Sequence, residues 1–255
     1  METKIILVDL DLTLLRSDGT ISDHTVSVLK QCQDKGILIG FSTSRGTTRI
    51  QQYSDIIHPE IKICNAGACV YYRDELIHAE TFTLDETHRL FDKTYQVLGE
   101  DAEITVDTLN DFYWNRKENK TTQYMAEAKF DDCKNFVEPA MKICVQLSDA
   151  SKAEKIASVV ENCGAVAFSD IPWFKFAPKS AAKENGIIYI SEYLKIPLSE
   201  MISFGDDFSD IGMLKATGRG IAMGNAIAEV KAIADDVTKS CDEDGVADYI
   251  ERNVL

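Results

Sequence analysis

Histidine is scarce in this chain, and the four present (His24, His58, His78, His88) are widely separated. Such scatter excludes a His-centred metal site and a Ser-His-Asp triad, and no G-x-S-x-G elbow supplies a nucleophilic serine. The seven cysteines (Cys32, Cys64, Cys69, Cys133, Cys144, Cys163, Cys241) are odd in number and form no C-x-x-C pair. Neither a zinc site nor a disulfide framework is expected from them, and they read as small core residues in a reducing compartment. Basic side chains are outnumbered, 27 against 42 acidic, for a net charge of -15, and no Lys/Arg-rich run occurs. A field of that sign repels nucleic acid and anionic membranes, so both are set aside as partners. A phosphorylated small molecule can still bind where a metal or a local cation reverses the field. No apolar run nears the ~20 residues of a membrane span. Met1 leads straight into a strand without a charged leader or signal core, so a cytoplasmic protein, monomer or homodimer, is expected.

What is present is an ordinary globular composition, 45% hydrophobic and 27% charged, in 255 residues. That length supports one large core or two smaller ones. The run Ile5-Ile6-Leu7-Val8 is short, apolar and β-branched, the mark of a buried strand. It ends in two aspartates, Asp9 and Asp11, separated by Leu10. Carboxylates this close repel and are easiest to keep ionised around a cation or with a shared proton. Alone, the pair fits a solvated strand end equally well.

The chain then alternates. A turn at Ser17-Asp18-Gly19-Thr20 precedes a helix over Thr25 to Asp34, capped by Ser22 or Asp23. The strand Ile37 to Ser42 completes a β-α-β unit with parallel strands. It ends in Ser42-Thr43-Ser44-Arg45 before a helix through Ile50 to Tyr53. Hydroxyls opening a helix make an anion cradle, although the same residues serve as a plain N-cap. Ile61 to Cys64 is a third strand, ending at Asn65-Ala66-Gly67-Ala68, and a hairpin spans Cys69 to His78. From Leu84 the pattern changes: an amphipathic helix to Leu98, half-exposed strands Glu103 to Asp107 and Phe112 to Arg116, and a short helix over Thr121 to Lys129. A strand at Lys142 to Leu147, a helix at Ala153 to Glu161 and a hairpin turned at Ile171-Pro172 follow. The β-α alternation resumes with a helix from Lys179 to Tyr193 and the strand Met201 to Phe204, which ends in Gly205-Asp206-Asp207-Phe208-Ser209-Asp210. A helix through Met213 and Leu214, the strand Gly220 to Met223, a helix over Ala226 to Ala234 and a last strand and helix complete the chain. The expected architecture is α/β: a Rossmann-like parallel-sheet core from residues 1–83 and 178–255, with an α+β domain, 84–177, inserted. In such a sheet the polar strand ends Asp9/Asp11, Thr43/Arg45, Asn65 and Asp206/Asp210 share one edge. Carboxylates with an open face there suit Mg²⁺, and a lysine such as Lys179 would add the cation that phosphate needs.

Asp9-Leu10-Asp11-Leu12-Thr13, Thr43, Lys179 and Gly205-Asp206-Asp207-Phe208-Ser209-Asp210 resemble, in order, the four motifs of the haloacid-dehalogenase-like phosphatases. The large insert between the second and third resembles the Cof-type branch with a type-two B cap. Asn65-Ala66-Gly67-Ala68, Lys179-Ser180-Ala181-Ala182, Ala222-Met223-Gly224-Asn225-Ala226 and Glu243-Asp244-Gly245-Val246-Ala247 support that branch. The resemblance covers essentially the whole chain. It implies a Mg²⁺-dependent phosphomonoester hydrolase acting on a small phosphorylated metabolite, a sugar phosphate or a phosphorylated cofactor. Asp9 would be the nucleophile that forms an aspartyl-phosphate. Asp11 would act as acid and then base, which calls for desolvation or a nearby negative charge to keep it protonated. Asp9, Asp206 and the Asp11 carbonyl would hold the metal. Thr43, Ser44, Arg45 and Lys179 would bind phosphate, with Asn65, Asp207, Ser209 and Asp210 behind them. Three residues depart from the family pattern. Leu12 stands where glycine is common and should tighten the turn's packing; Ser209 stands where asparagine is frequent; and Ser44 replaces the glycine of Thr-Gly-Arg. Arg45 fits a phosphate contact or a surface ion pair. A phosphomutase with the same motifs and a non-catalytic phosphate or metal sensor are the alternative functions.

Overall fold

The computed structural model describes residues 2–117, 128–168 and 171–255. The first segment contains β1 (Ile5–Val8), α1 (Asp23–Asp34), β2 (Leu38–Ser42), α2 (Gln51–Ile57), β3 (Ile61–Cys64), β4 (Cys69–Tyr72) and β5 (Glu75–Ala79). Next in the chain come α3 (Leu84–Leu98), β6 (Ile104–Asp107), β7 (Phe112–Trp114), β8 (Lys129–Phe130), β9 (Lys142–Gln146), α4 (Ala150–Ala157), β10 (Cys163–Ala167) and β11 (Trp173–Pro178). Last come α5 (Lys183–Leu194), β12 (Met201–Gly205), α6 (Ile211–Ala216), β13 (Arg219–Ala222), α7 (Ala228–Ile233), β14 (Asp236–Val237) and α8 (Gly245–Asn253). Two compact units result: Met1–Arg45, Arg49–His78 and Ala182–Leu255 form one, and Gly46–Thr48 with Ala79–Ala181 the other.

The first unit is built on a sheet of order β14-β13-β12-β1-β2-β3-β4-β5, in which β14 through β3 run parallel and β4 turns back antiparallel. β1 is wholly buried because it lies centrally in the sheet, as continuous apolar strands of parallel sheets do. Ser22 caps α1 by accepting the Thr25 N–H at 3.0 Å, and Val28, Leu29 and Cys32 face the sheet.

The second unit is a sheet of order β10-β11-β9-β6-β7-β8. Its strands pair antiparallel except β7 and β8, which run parallel. Ile104, Val106, Ile143, Val145 and Phe176 alternate onto one face and share a core with Leu90 and Phe91 of α3 and Ile156 of α4. A capping box of Thr83 and Glu86 starts α3 where the apolar stripe begins.

Several expected elements shift. The helix expected over Thr121 to Lys129 lies outside the described residues as far as 127, and Lys129 itself pairs as strand with Tyr113. The helix expected from Lys179 begins at Lys183, because β11 runs on to Pro178 and the chain turns at Lys179-Ser180 before Ala182 caps α5. All seven cysteines are buried and none forms a disulfide.

Candidate active site

Register aligns the site. Val8 lies level with Phe41 in β2 and with Phe204 in β12. The residues that follow therefore emerge side by side at the carboxyl edge of the sheet, where open α/β folds place ligands. Asp9 is held there by its N–H, which donates to the Phe204 carbonyl at 3.1 Å. Lys183, in the first turn of α5, donates from Nζ to Asp9 Oδ1 and to Asp210 Oδ1, each at 2.6 Å. The other Asp210 oxygen accepts the N–H groups of Asp206 (3.0 Å) and Asp207 (3.2 Å). Asp206 Oδ1 accepts the Thr13 hydroxyl at 2.7 Å.

Two glycines make this packing possible. A Cβ on Gly205 would lie 2.5 Å from Asp210 Cβ, so only glycine lets Asp210 fold back over the strand end. A Cβ on Gly67, whose φ is +98°, would lie 2.0 Å from the Ala182 carbonyl oxygen, so glycine lets the start of α5 approach the β3 turn. Lys183 follows directly.

Carboxylate oxygens of Asp9, Asp206 and Asp210 lie within 4.8 Å of one another, and all three residues are buried. With all three ionised, the group and the Lys183 ammonium would carry two uncompensated negative charges. Burial pushes the Asp9 carboxyl well above its ordinary pKa, against the pull of Lys183. Burial also raises Asp206 to about 6, opposed by the Thr13 hydrogen bond and aided by Asp210 and Asp207. For Lys183 burial acts downward, but Asp210 and Asp9 outweigh it and its pKa is raised. The site therefore keeps its internal cation and has excess negative charge on hard oxygen donors, the chemistry that fits a divalent cation such as Mg²⁺.

Asp11 has different surroundings. It is not desolvated, since its side chain is 59% exposed. Arg45 grips both its oxygens, Nε to Oδ2 at 2.9 Å and Nη2 to Oδ1 at 2.6 Å. The loop between Asp9 and Leu15 is wide: Leu14 N–H reaches the Asp9 carbonyl at 3.1 Å and Leu15 N–H the Leu10 carbonyl at 2.8 Å. Closing it puts Leu12 at φ 56°, ψ 14°, the left-handed region that glycine adopts without strain. Leu12 does not tighten the turn by packing; it is 48% exposed. Thr43, at the end of β2, is fully buried, and its hydroxyl accepts the Arg45 N–H at 3.1 Å. Asn65 and Ala66 bond back to this loop, Asn65 N–H to the Arg45 carbonyl (2.8 Å) and Ala66 N–H to the Thr43 carbonyl (2.9 Å). Ser44 is half-buried in the same bend, and Ser209 is exposed beside Asp210.

The family model for haloacid dehalogenase-like hydrolases matches residues 6–250. The chain is a haloacid dehalogenase-like hydrolase. It is 30% identical, over 99% of its length and 98% of the relative's, to the 5-amino-6-(5-phospho-D-ribitylamino)uracil phosphatase YitU of Bacillus subtilis. Its fold is similar to that of the subclass IIB sugar phosphatase BT4131 of the same superfamily, with a TM-score of 0.82 at 21% identity, covering 99% and 100% of the two chains. A haloacid dehalogenase-like hydrolase from Bacteroides thetaiotaomicron matches with a TM-score of 0.86 at 23% identity, covering 98% and 99%.

For this haloacid dehalogenase-like hydrolase one expected position needs correction. Lys179 belongs to the second unit, where its Nζ donates to the Glu161 carbonyl at 2.8 Å and its N–H to the Asn162 carbonyl at 2.9 Å. Lys183 holds the place beside Asp9 that was expected of Lys179. Both lie in the polar stretch before the same apolar run, but β11 runs to Pro178 and leaves Lys179 in the turn after it, while Lys183 opens α5. Asn225 was also missed as a brace: its Nδ2 donates to the Leu12 carbonyl at 2.8 Å and its Oδ1 accepts the Cys241 N–H at 2.9 Å. The stretch Ala222-Met223-Gly224-Asn225-Ala226 marked the position without assigning the side chain a role.

Proposed function

We propose that this haloacid dehalogenase-like phosphatase hydrolyses phosphomonoesters of small metabolites through an aspartyl-phosphate on Asp9. The observation that carries the reading is the buried Asp9-Lys183-Asp210 chain beside Asp206, with Asp11 two residues on. The Asp9 carboxylate would attack phosphorus as the bond to the ester oxygen breaks, and Asp11 would give that oxygen its proton. Asp11 would then take a proton from the water that cleaves the acyl phosphate, releasing inorganic phosphate and restoring Asp9. Lys183, charged and fixed by Asp210, would hold the nucleophile's carboxylate in place and draw the phosphoryl oxygens toward it. Thr43, Ser44 and Arg45 would line the phosphate's approach, and Asn65, Asp207, Ser209 and Asp210 would support them. Asp9, Asp206 and the Asp11 carbonyl would hold Mg²⁺. When bound, the ion offsets the repulsion between two anionic reactants.

Residues 84–177 would act as the cap that selects the organic part of the substrate. The named activities of relatives support two substrate families, ribitylaminouracil phosphates and sugar phosphates. The chain's charge of -15 supports small anionic esters recognised through a local cation, rather than nucleic acid. We place the protein in the cytoplasm as a monomer or homodimer. A panel of phosphate esters with Mg²⁺ tests the proposal: Asp9→Asn should abolish release of phosphate. Isomerisation of a sugar phosphate outpacing that release would instead make it a mutase, and ligand binding without turnover a sensor.

A further inference from the structure

We infer that Arg45 is a positioning residue whose fork exchanges Asp11 for the incoming phosphate. The inference rests on the phosphatase reading. Both N–H···O bonds of the Arg45-Asp11 fork are short, 2.9 and 2.6 Å, and each engages a different carboxylate oxygen. While both of its oxygens are gripped, the Asp11 side chain cannot turn toward a leaving group, so the fork must open before Asp11 can reach one. Opening has a defined direction because the two partners are held unequally. Arg45 is restrained from several sides: its guanidinium lies 5.3 Å over the Tyr53 ring, and its Nη1 donates to the Arg49 carbonyl at 3.4 Å. Its backbone is fixed by Thr43 Oγ1 and by the N–H of Asn65. Asp11 sits on the wide loop next to left-handed Leu12, more exposed than Arg45, 59% against 27%.

When the fork opens, the carboxylate is therefore the partner that moves. A phosphomonoester dianion offers the same planar fork two oxygens and more charge than one carboxylate, so it displaces Asp11 from the guanidinium. The residue that holds Asp11 is then the residue that senses the phosphate, and Asp11 is released only when a phosphate has arrived.

The test is a double-mutant cycle read by calorimetric binding of inorganic phosphate to the intact protein with Mg²⁺. The four proteins are the parent, Asp11→Ala, Arg45→Gln and the double variant, each checked for an unchanged melting transition. Exchange predicts that Asp11→Ala tightens phosphate binding about fivefold in the parent and less than about twofold in the Arg45→Gln background. An equal tightening in both backgrounds means that Asp11 acts only through its general negative field, and the exchange is overturned. No tightening in either overturns it as well. If the parent hydrolyses esters and Asp9→Asn does not, an additive cycle removes the exchange alone. If the parent neither binds phosphate nor hydrolyses any ester, the phosphatase reading falls with it.

Discussion

Lys179 and Lys183 lie four residues apart, and the fold uses them oppositely. Lys183 is buried between Asp9 and Asp210 and keeps a raised pKa despite burial. Removing one partner of such a group leaves buried carboxylates uncompensated, a loss of about 3–5 kcal/mol. Lys183→Ala should thus lose that much in denaturant unfolding and lower kcat/KM on any accepted ester by about a thousandfold. Lys179→Ala removes one bond to a carbonyl in the second unit, so its kcat/KM should stay within about twofold. Equal losses in the two variants would contradict the placement of Lys183. Leu12 gives a prediction of opposite sign. Its left-handed backbone strains a residue with a Cβ by about 1–2 kcal/mol, and its side chain is half-exposed, with little packing to lose. Leu12→Gly should stabilise the fold by up to about 1 kcal/mol, after glycine's greater freedom in the unfolded chain is subtracted. A lower denaturation midpoint in that variant would show that the leucine contributes packing after all.

At the scale of elements, the site depends on how closely α5 approaches the turn after β3. Gly67→Ala brings a Cβ to 2.0 Å from the Ala182 carbonyl oxygen and forces alanine to φ +98°. The helix start, and Lys183 with it, has to retreat. We expect a loss of about 2–4 kcal/mol together with at least a tenfold drop in kcat. A variant that loses stability but keeps kcat would separate the helix start from the chemistry. The same packing explains what could be read beforehand. The β-α alternation, the parallel sheet and the carboxylates at strand ends were legible because apolar runs and short polar termini are local signals, as with Ile5–Val8 ahead of Asp9. The identity of the lysine was not, because it turns on where β11 stops and α5 starts. That boundary is decided by the Gly67-Ala182 contact between residues more than a hundred positions apart. Arg45 was legible as a phosphate contact or an ion pair at the same sheet edge, but its partner, Asp11, 34 residues away, was not.

For the whole molecule the question is how an acidic chain tolerates a buried excess of negative charge. Burial raises Asp206 from an ordinary 3.8 to about 6 in the folded protein. Between those values the folded state binds more protons than the unfolded one, so this group's contribution to stability falls as pH rises from about 4 through about 6. A divalent cation needs the deprotonated oxygens and competes with those protons, so its stabilisation grows over the same window. At a Mg²⁺ concentration about a hundredfold above its dissociation constant, the gain is about 2.7 kcal/mol. The overall charge of -15 also invites loose counterions, but these respond to ionic strength rather than to one site. The increase in melting temperature on adding Mg²⁺, measured against NaCl at matched ionic strength, should therefore be clearly larger at pH 7 than at pH 5. In Asp206→Asn, which removes one of the two donors whose pKa burial raises, that difference should shrink. An increase of equal size at both pH values in the parent protein would mean that the ion acts on the surface field, and that the buried carboxylates are compensated from within.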